Sequence, residues 1–422
     1  TGPVTAHRLE PRTIATVCGL DGAAPVRSPG VPRAFPGRQR GHLVAQHVVT
    51  QQESQSSAAS PGGVLHVVTS TQRRGAETFA VDLSVALTAR GMASDVVALT
   101  PGRTGETLAV PALGDSALSL QTLRALRHHA GSARMVVAHG SRTLPACVSA
   151  LVGLHAPVVY RSIGDPAAWA GSGLRRARNR LLLRRMDAVA VLWPGAGESV
   201  RALHGVAAER IHVIPNGVPA ERCPVPDADA RAAARRGLGL PPDAPVVAVI
   251  GALGPEKQVG DVISAVAALP DAHLLVAGDG PERAALEQYA EGHAPGRVHF
   301  AGMLPGPTRA LAAADVVALA SRTEGMPGVL IEAGLSGVAV VATDVGGVAQ
   351  IVRAGDTGLL VSPGDVPGLT AALDRALAER ARLGAAARRH CLAAFEIGAV
   401  ADRWASLATS LAGTGRANAT GS

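Results

Sequence analysis

The sequence predicts two doubly wound α/β domains in tandem, each a Rossmann-like parallel sheet covered by helices. Three observations carry this. Short β-branched runs alternate with helix-length segments from Val64 onward. The runs are almost wholly apolar rather than alternating, as strands buried on both faces must be. A Pro/Asp/Ala-rich stretch at 223–245 divides the series in two, and 422 residues are enough for two separate cores.

The first series opens with VLHVVTS (64–70), then AETFAVDLSVALTARG at a helical period, then SDVVALT (94–100). It continues through MVVAHG (135–140), APVVYRS (156–162), DAVAVLW (187–193) and IHVIP (211–215). The second comprises VVAVIG (246–251), HLLVAG (273–278), VHFAG (298–302), VVALAS (316–321) and VAVVATD (338–344). Beyond Pro367 the pattern is helical to about Ala412, with weak spots expected near Gly384 and Ile397–Gly398. The expected boundaries are 63–218 for the first domain, 219–392 for the second and 393–413 for a final helix. Residues 1–62, rich in Pro, Gly, Arg, Ser and Gln without a period, are expected to be a disordered extension, and 414–422 a disordered tail.

Charge and composition exclude several classes. The formal net charge is +7, of which residues 1–60 contribute +3. The remainder is spread over some 360 residues, too thin a footprint for a phosphate backbone, and 2% aromatic residues leave little to stack on bases. Nucleic acid is therefore not expected as a partner. No apolar run approaches the ~18–20 residues of a membrane span. The expectation is a cytoplasmic protein with no transmembrane segment, with peripheral membrane contact left open. Cys18, Cys147, Cys223 and Cys391 form no Cys-x-x-Cys, which fits a reducing compartment and no thiolate metal site. Arginine supplies the positive charge throughout except at Lys257, the single lysine. That suggests a position needing a compact, rotatable ammonium; codon bias is the competing reading.

Ligands of doubly wound sheets sit outside the carboxyl ends of the strands, so the strand-to-helix loops are the candidate sites. The most informative runs from Ser321 to Gly334, SRTEGMPGVLIEAG. Gly325 and Gly328 let backbone N–H groups approach a ligand, Met326 lies between them, and Pro327 suits the first turn of a helix whose start favours an anion. Glu324 before the helix and Glu332 inside it flank that anion site. A carboxylate can accept two hydrogen bonds from vicinal hydroxyls, as ribose or a hexose offers. The bland reading is an ordinary capped helix with two solvated glutamates. Lys257, in the loop after 246–251, could neutralise a diphosphate held against the Glu324–Gly328 loop. Gly278 and Gly280 resemble the start of a dinucleotide fingerprint, but its third glycine position holds Arg283.

In the first domain, the loop through Gly75 could form a backbone nest facing the cleft, crowded by Arg73 and Arg74. His139 ends a strand and could reach the cleft, although such a histidine is more often structural. The spacing Asp227-x-Asp229 reads as solvated linker rather than metal ligand. The basic run 173–187 reads as a solvated helix, since its arginines are not confined to one face.

Taken together these segments resemble the retaining GT-B glycosyltransferases of the large family 4 type, from about Val64 to Ala412. The carriers are Glu324-x7-Glu332 within EGMPGVLIEAGLSGVAVVATDVGG, VIPNGV (213–218), the Lys257 loop, AGDGPER (277–283), VHFAGMLP (298–305) and TGLLVSPGD (357–365). The resemblance implies transfer of a sugar from a nucleotide-diphosphate sugar with retention of configuration, needing no cofactor and no metal. It implies a first, acceptor domain and a second, donor domain, with the final helix crossing back to the first. Lys257 would hold the diphosphate, Glu324 the donor sugar hydroxyls and Glu332 the ribose. N–H groups around Gly325 to Gly328 would meet the phosphates, beside Gly278 and Gly280. Gly75, His139 and Arg161 would line the acceptor side.

The chain departs from the family pattern at identifiable places. Ala252 stands where arginine is common before the lysine, Gln350 where glutamate follows the Gly-Gly turn, and Arg73-Arg74-Gly75 where Gly-Gly is usual. A frequent cleft histidine is replaced by the stretch Tyr160-Arg161-Ser162-Ile163-Gly164. The missing guanidinium at Ala252 should weaken diphosphate binding unless Arg73, Arg74 or Arg161 compensates. A non-catalytic GT-B scaffold that binds nucleotide sugar or a protein partner is therefore the alternative to an active enzyme. An NAD oxidoreductase lacks its fingerprint here. The donor base and sugar, and an acceptor that is lipid, polysaccharide or small metabolite, stay open.

Overall fold

The computed structural model describes residues 62–102, 106–167 and 171–417. The expected N-terminal extension, apart from Gly62, therefore lies outside the described residues, as do 418–422 of the expected tail. The first sheet contains β1 (Val64–Ser70), β2 (Ser94–Thr100), β3 (Met135–His139), β4 (Val158–Arg161), β5 (Ala188–Val191) and β6 (Ile211–Val213). Its order is β2-β1-β3-β4-β5-β6, every pairing parallel. The second contains β7 (Val246–Ile250), β8 (His273–Ala277), β9 (Val298–Gly302), β10 (Val316–Leu319), β11 (Ala339–Thr343) and β12 (Leu359–Val361). Its order, β12-β11-β10-β7-β8-β9, is the doubly wound arrangement with its switch point between β7 and β10.

The central strands are buried along their whole length, which is why they read as unbroken apolar runs. The helix Gly75–Thr88 covers one face of the first sheet through Phe79, Leu83 and Leu87. The final helix, Ile397–Ala417, packs beside it, burying Val400, Trp404 and Leu407 in the same cluster. Trp404 is fully buried, and an indole removed from water contributes ~4–6 kcal/mol of transfer free energy. That contact, with an Arg90–Asp402 ion pair at 2.6 Å, carries the final helix back onto the first domain.

Two segments cross between the domains and are bonded to each other. Val218 N donates to Phe395 O at 3.0 Å, and Ile397 N to Val218 O at 3.1 Å. A Cβ on Gly217 would lie 3.0 Å from Ile397 and Val400 side-chain carbons, so glycine permits this close approach.

Three expectations are revised. Gly384 does not interrupt a helix: it sits inside the helix Arg380–Ala394, against the backbone of Gly337. The interruptions fall at Glu379 and at Phe395–Glu396 instead. The final helix extends to Ala417, one turn past 413, since no proline falls in 413–417 to break its hydrogen-bond ladder. Leu359–Val361, within TGLLVSPGD, adds a strand to the second series; three residues at a sheet edge are too short to show a period. No helix among the described residues is long and apolar enough to cross a membrane.

Candidate active site

The switch point brings the loops after β7 and β10 side by side. After β7, residues Pro255–Lys257 form one short 3-10 turn, and Gln258 follows with φ of 49°. Its side-chain amide donates back to Pro255 O at 2.6 Å, which steadies this left-handed residue. Arg322 N donates to Glu256 O at 2.8 Å and ties the second loop to the first. Lys257 Nζ consequently lies 2.7 Å from Glu324 Oε1, which also accepts from Ser321 Oγ at 2.7 Å.

Past Glu324 the chain turns through Gly325 and Met326 into the helix Gly328–Leu335, with Pro327 at the N-cap. Pro327 offers no side-chain acceptor, so the N–H groups of Gly328 and Val329 are uncapped by any side chain and the helix dipole points outward. Glu332 stands one turn on. Burial raises its carboxyl above the ordinary range, with the Arg222 guanidinium working against the shift and Asp82 adding to it. Arg222 itself pairs with Asp82 at 2.5 Å, joining the interdomain segment to the first domain.

A cleft of about 1020 Å³ runs between the domains across this segment. Glu324, Gly325, Met326, Gly328 and Glu332 line it from the second domain; Gly75 and Arg161 line it from the first. The loop after β9, from Met303 to Thr308, closes one side, with Met303 largely exposed. Lys257 reaches this group through Glu324. Gly278 and Gly280 serve packing: a Cβ at either would lie 1.8 Å from Gly251 O or 2.4 Å from Leu253 O, so their absence lets the loops after β7 and β8 touch.

Arg161 borders the cleft while almost wholly buried, and His139, equally buried, does not border it. Arg161 is 1% exposed, and its guanidinium stands 3.8 Å over the Phe79 ring. It donates to Asn216 Oδ1 and faces His139 Nδ1 at 3.4 Å, while His139 Nε2 meets His66 Nδ1 at 2.9 Å. Burial lowers the Arg161 pKa to about 9 and the His66 pKa to about 3, and holds His139 well below the ordinary imidazole range. His139 instead borders a second cavity of about 1020 Å³, outside the carboxyl ends of β1 to β4, together with Glu77, Arg74 and Arg142. Of the arginines that could replace the one missing at Ala252, Arg161 is thus engaged and Arg73 is paired with Glu106 at 2.8 Å. Arg74 makes no ion pair among the described residues.

Other signals resolve simply. Asp227 caps the helix Ala228–Gly237 by accepting from Ala230 N at 2.7 Å. The basic helix Gly173–Leu183 buries only Leu183. Cys147, Cys223 and Cys391 are free and buried, with thiols pushed up to about 12, so none is a ready thiolate. Among the described residues no three His, Cys, Asp or Glu side chains converge to hold a metal. Asn216 was not singled out in the sequence. Its signal is the Asn-Gly of VIPNGV placed just beyond the carboxyl end of β6, where ligands of such sheets gather.

Comparison with known proteins agrees with this geometry. The family model described as Glycosyltransferase Family 4 matches residues 73–222, and that of Glycosyl transferases group 1 matches 244–379. The lipopolysaccharide core biosynthesis glycosyltransferase LpsE of Rhizobium meliloti is 33% identical over 231 residues, 54% of this chain and 65% of that protein. The 2-deoxystreptamine glucosyltransferase of Streptomyces kanamyceticus is 34% identical over 48% of this chain and 54% of its own. The D-inositol 3-phosphate glycosyltransferase of Nocardia farcinica is 39% identical over 43% of each. The chain thus spans between about two fifths and two thirds of these relatives. Among solved structures, Anabaena Alr3699/HepE in complex with UDP-glucose superposes with a TM-score of 0.72 at 21% identity, over 82% of this chain and 99% of that one. WaaG, a glycosyltransferase involved in lipopolysaccharide biosynthesis, gives 0.64 at 19% identity, over 82% and 99%. Two facing six-stranded Rossmann-like domains make the fold GT-B, and the chain carries a Glycosyltransferase Family 4 domain followed by a Glycosyl transferases group 1 domain.

Proposed function

We propose that this protein transfers a sugar, with retention of configuration and without a metal ion, from a nucleotide-diphosphate sugar to an acceptor hydroxyl. One observation carries the reading: Glu324 and Glu332 line the same interdomain cleft with an uncapped helix start between them. A diphosphate laid on the N–H groups of Gly328 and Val329 would put a sugar toward Glu324 and a ribose toward Glu332. Lys257 would leave its contact with Glu324 to neutralise the phosphates. HepE, of the same fold, was crystallised with UDP-glucose, which supports a nucleotide sugar as the donor class.

The acceptor would enter from the first-domain cavity. Its oxygen would bond to the anomeric carbon on the face from which the phosphate departs. The breaking C–O bond leaves its electron pair on the β-phosphate, and the hydroxyl proton passes to that phosphate oxygen. The helix dipole and Lys257 would stabilise the charge as it develops on the leaving group. Closure of the domains would exclude water, so that the acceptor and not water is glycosylated.

Thermal melting against UDP, GDP, ADP, their sugar conjugates and NAD tests the reading. A ligand at ~100 times its dissociation constant adds about 2.7 kcal/mol, a visible shift. Stabilisation by one nucleotide class, lost in Lys257→Ala, names the base. No shift with any of them would favour a non-catalytic scaffold that binds a protein partner.

A further inference from the structure

We propose that Arg161 and Asn216 are positioning residues that set the donor loop from the opposite domain. The inference rests on the reading of the Glu324–Glu332 segment as the donor site, and it assigns that segment's geometry to residues no sugar need touch.

Arg161 ends β4 and has donors only. One terminal nitrogen donates to Asn216 Oδ1, so the other half of that amide must be the donor. It is: Asn216 Nδ2 lies 2.6 Å from the Met326 carbonyl oxygen. A flipped amide would set NH₂ against a guanidinium and oxygen against a carbonyl, two repulsive contacts. Asn216 therefore has one orientation, fixed by a cation on one side and a carbonyl on the other. Its backbone N–H also points at Met326 Sδ, 3.3 Å away.

The same logic runs inward. The Arg161 guanidinium can only donate, so His139 Nδ1 is unprotonated and its proton sits on Nε2. That proton is donated to His66 Nδ1, leaving the His66 proton on a buried Nε2 that has no partner. Both rings are neutral and both tautomers are fixed. With Phe79 against its face, the guanidinium has little freedom left to turn away from Asn216.

What is gained is control of one peptide plane. The Met326 carbonyl belongs to the peptide that leads into Pro327 and the uncapped helix start, so holding it aims the N–H groups meant for phosphate. Gly325, just before, sits against the same domain: a Cβ there would lie 2.3 Å from the carbonyl oxygen of Ile163. The donor loop is thus seated on the first domain through two consecutive residues.

Asn216→Asp is the discriminating variant in the full-length chain. It keeps the acceptor for Arg161, and adds a charge that suits it, but places an oxygen against the Met326 carbonyl. The probes are UDP, GDP and ADP, with affinity measured by calorimetry alongside the melting temperature. The expected result is binding of the nucleotide selected by the wild type weakened about tenfold or more, with the melting temperature unchanged or raised. A role confined to stability predicts unchanged affinity, and that result overturns the proposal. If Asn216→Asp does not fold, Arg161→Lys replaces it, keeping charge but losing the planar fork, with the same expected and overturning results. Wild-type protein that binds none of the three nucleotides overturns the donor-site reading and this proposal with it; binding that Asn216→Asp leaves untouched overturns this proposal alone.

Discussion

Lys257 Nζ lies 2.7 Å from Glu324 Oε1, so the chain's single lysine is paired with the first glutamate of the candidate donor segment. Both groups are mostly buried, at 25% and 10% exposure, and Glu324 has a second partner in Ser321. An incoming diphosphate offers Lys257 more negative charge than one carboxylate and should draw it away, releasing Glu324 toward a sugar. Lys257→Ala is expected to weaken nucleotide-diphosphate binding about 10- to 100-fold, the loss of one charge-assisted contact, while Ser321 continues to hold Glu324. Calorimetry with the nucleotide that stabilises the wild type is the check. An unchanged dissociation constant would remove Lys257 from the phosphate site.

Amine-reactive labelling gives an independent view of the same residue. With one lysine, only Lys257 and any free α-amine can react. Bound nucleotide is expected to protect Lys257 while leaving the α-amine unaffected, as read by peptide mass spectrometry. Equal labelling with and without nucleotide would mean that the ammonium faces solvent in both states.

Much of this was legible in the sequence because it is local. Glu324 and Glu332 announce themselves by spacing, with glycines and a proline between them marking a loop that becomes a helix. The strands appear as apolar runs because both faces are covered. What was not legible depends on distance. Asn216 gains its meaning from Arg161, 55 residues earlier, and from Met326, 110 residues later. His139 ends a strand and borders the first-domain cavity, but its ring also bonds to His66, a partner that no spacing rule connects to it. Gly278 and Gly280 read as a ligand-binding fingerprint, but the same absence of a side chain equally serves loop-to-loop contact.

The buried imidazole pair predicts an acid limb in stability. His66 is held neutral in the folded protein, with a pKa of about 3, whereas the unfolded chain takes up a proton near the ordinary 6.5. Between those values the unfolded state binds more protons, so the stability tied to His66 is fully present above about pH 6.5 and is lost as pH falls toward 3. The loss is on the order of a few kcal/mol at the acid end. Melting curves from pH 7 to 4 should show wild type falling faster than His66→Gln, which has no imidazole to protonate. Parallel curves would mean that water reaches the ring.

Gly384 allows a prediction whose sign separates two explanations of the same residue. If it were a weak spot in its helix, Gly384→Ala would stabilise, as alanine does at unstrained helical positions, by ~0.4–1 kcal/mol. The structure places a Cβ there 2.0 Å from the carbonyl oxygen of Gly337, at the turn leading into β11, and backbone on both sides cannot yield cheaply. The substitution is therefore expected to destabilise by about 1–3 kcal/mol, as overpacking does. Gly292, inside the helix Arg283–His293 with nothing within 4 Å of a Cβ, is the control, and Gly292→Ala is expected to stabilise. Opposite signs in urea denaturation would establish that Gly384 serves close packing against the second sheet's turn, whereas two stabilising substitutions would restore it to a helix weak point.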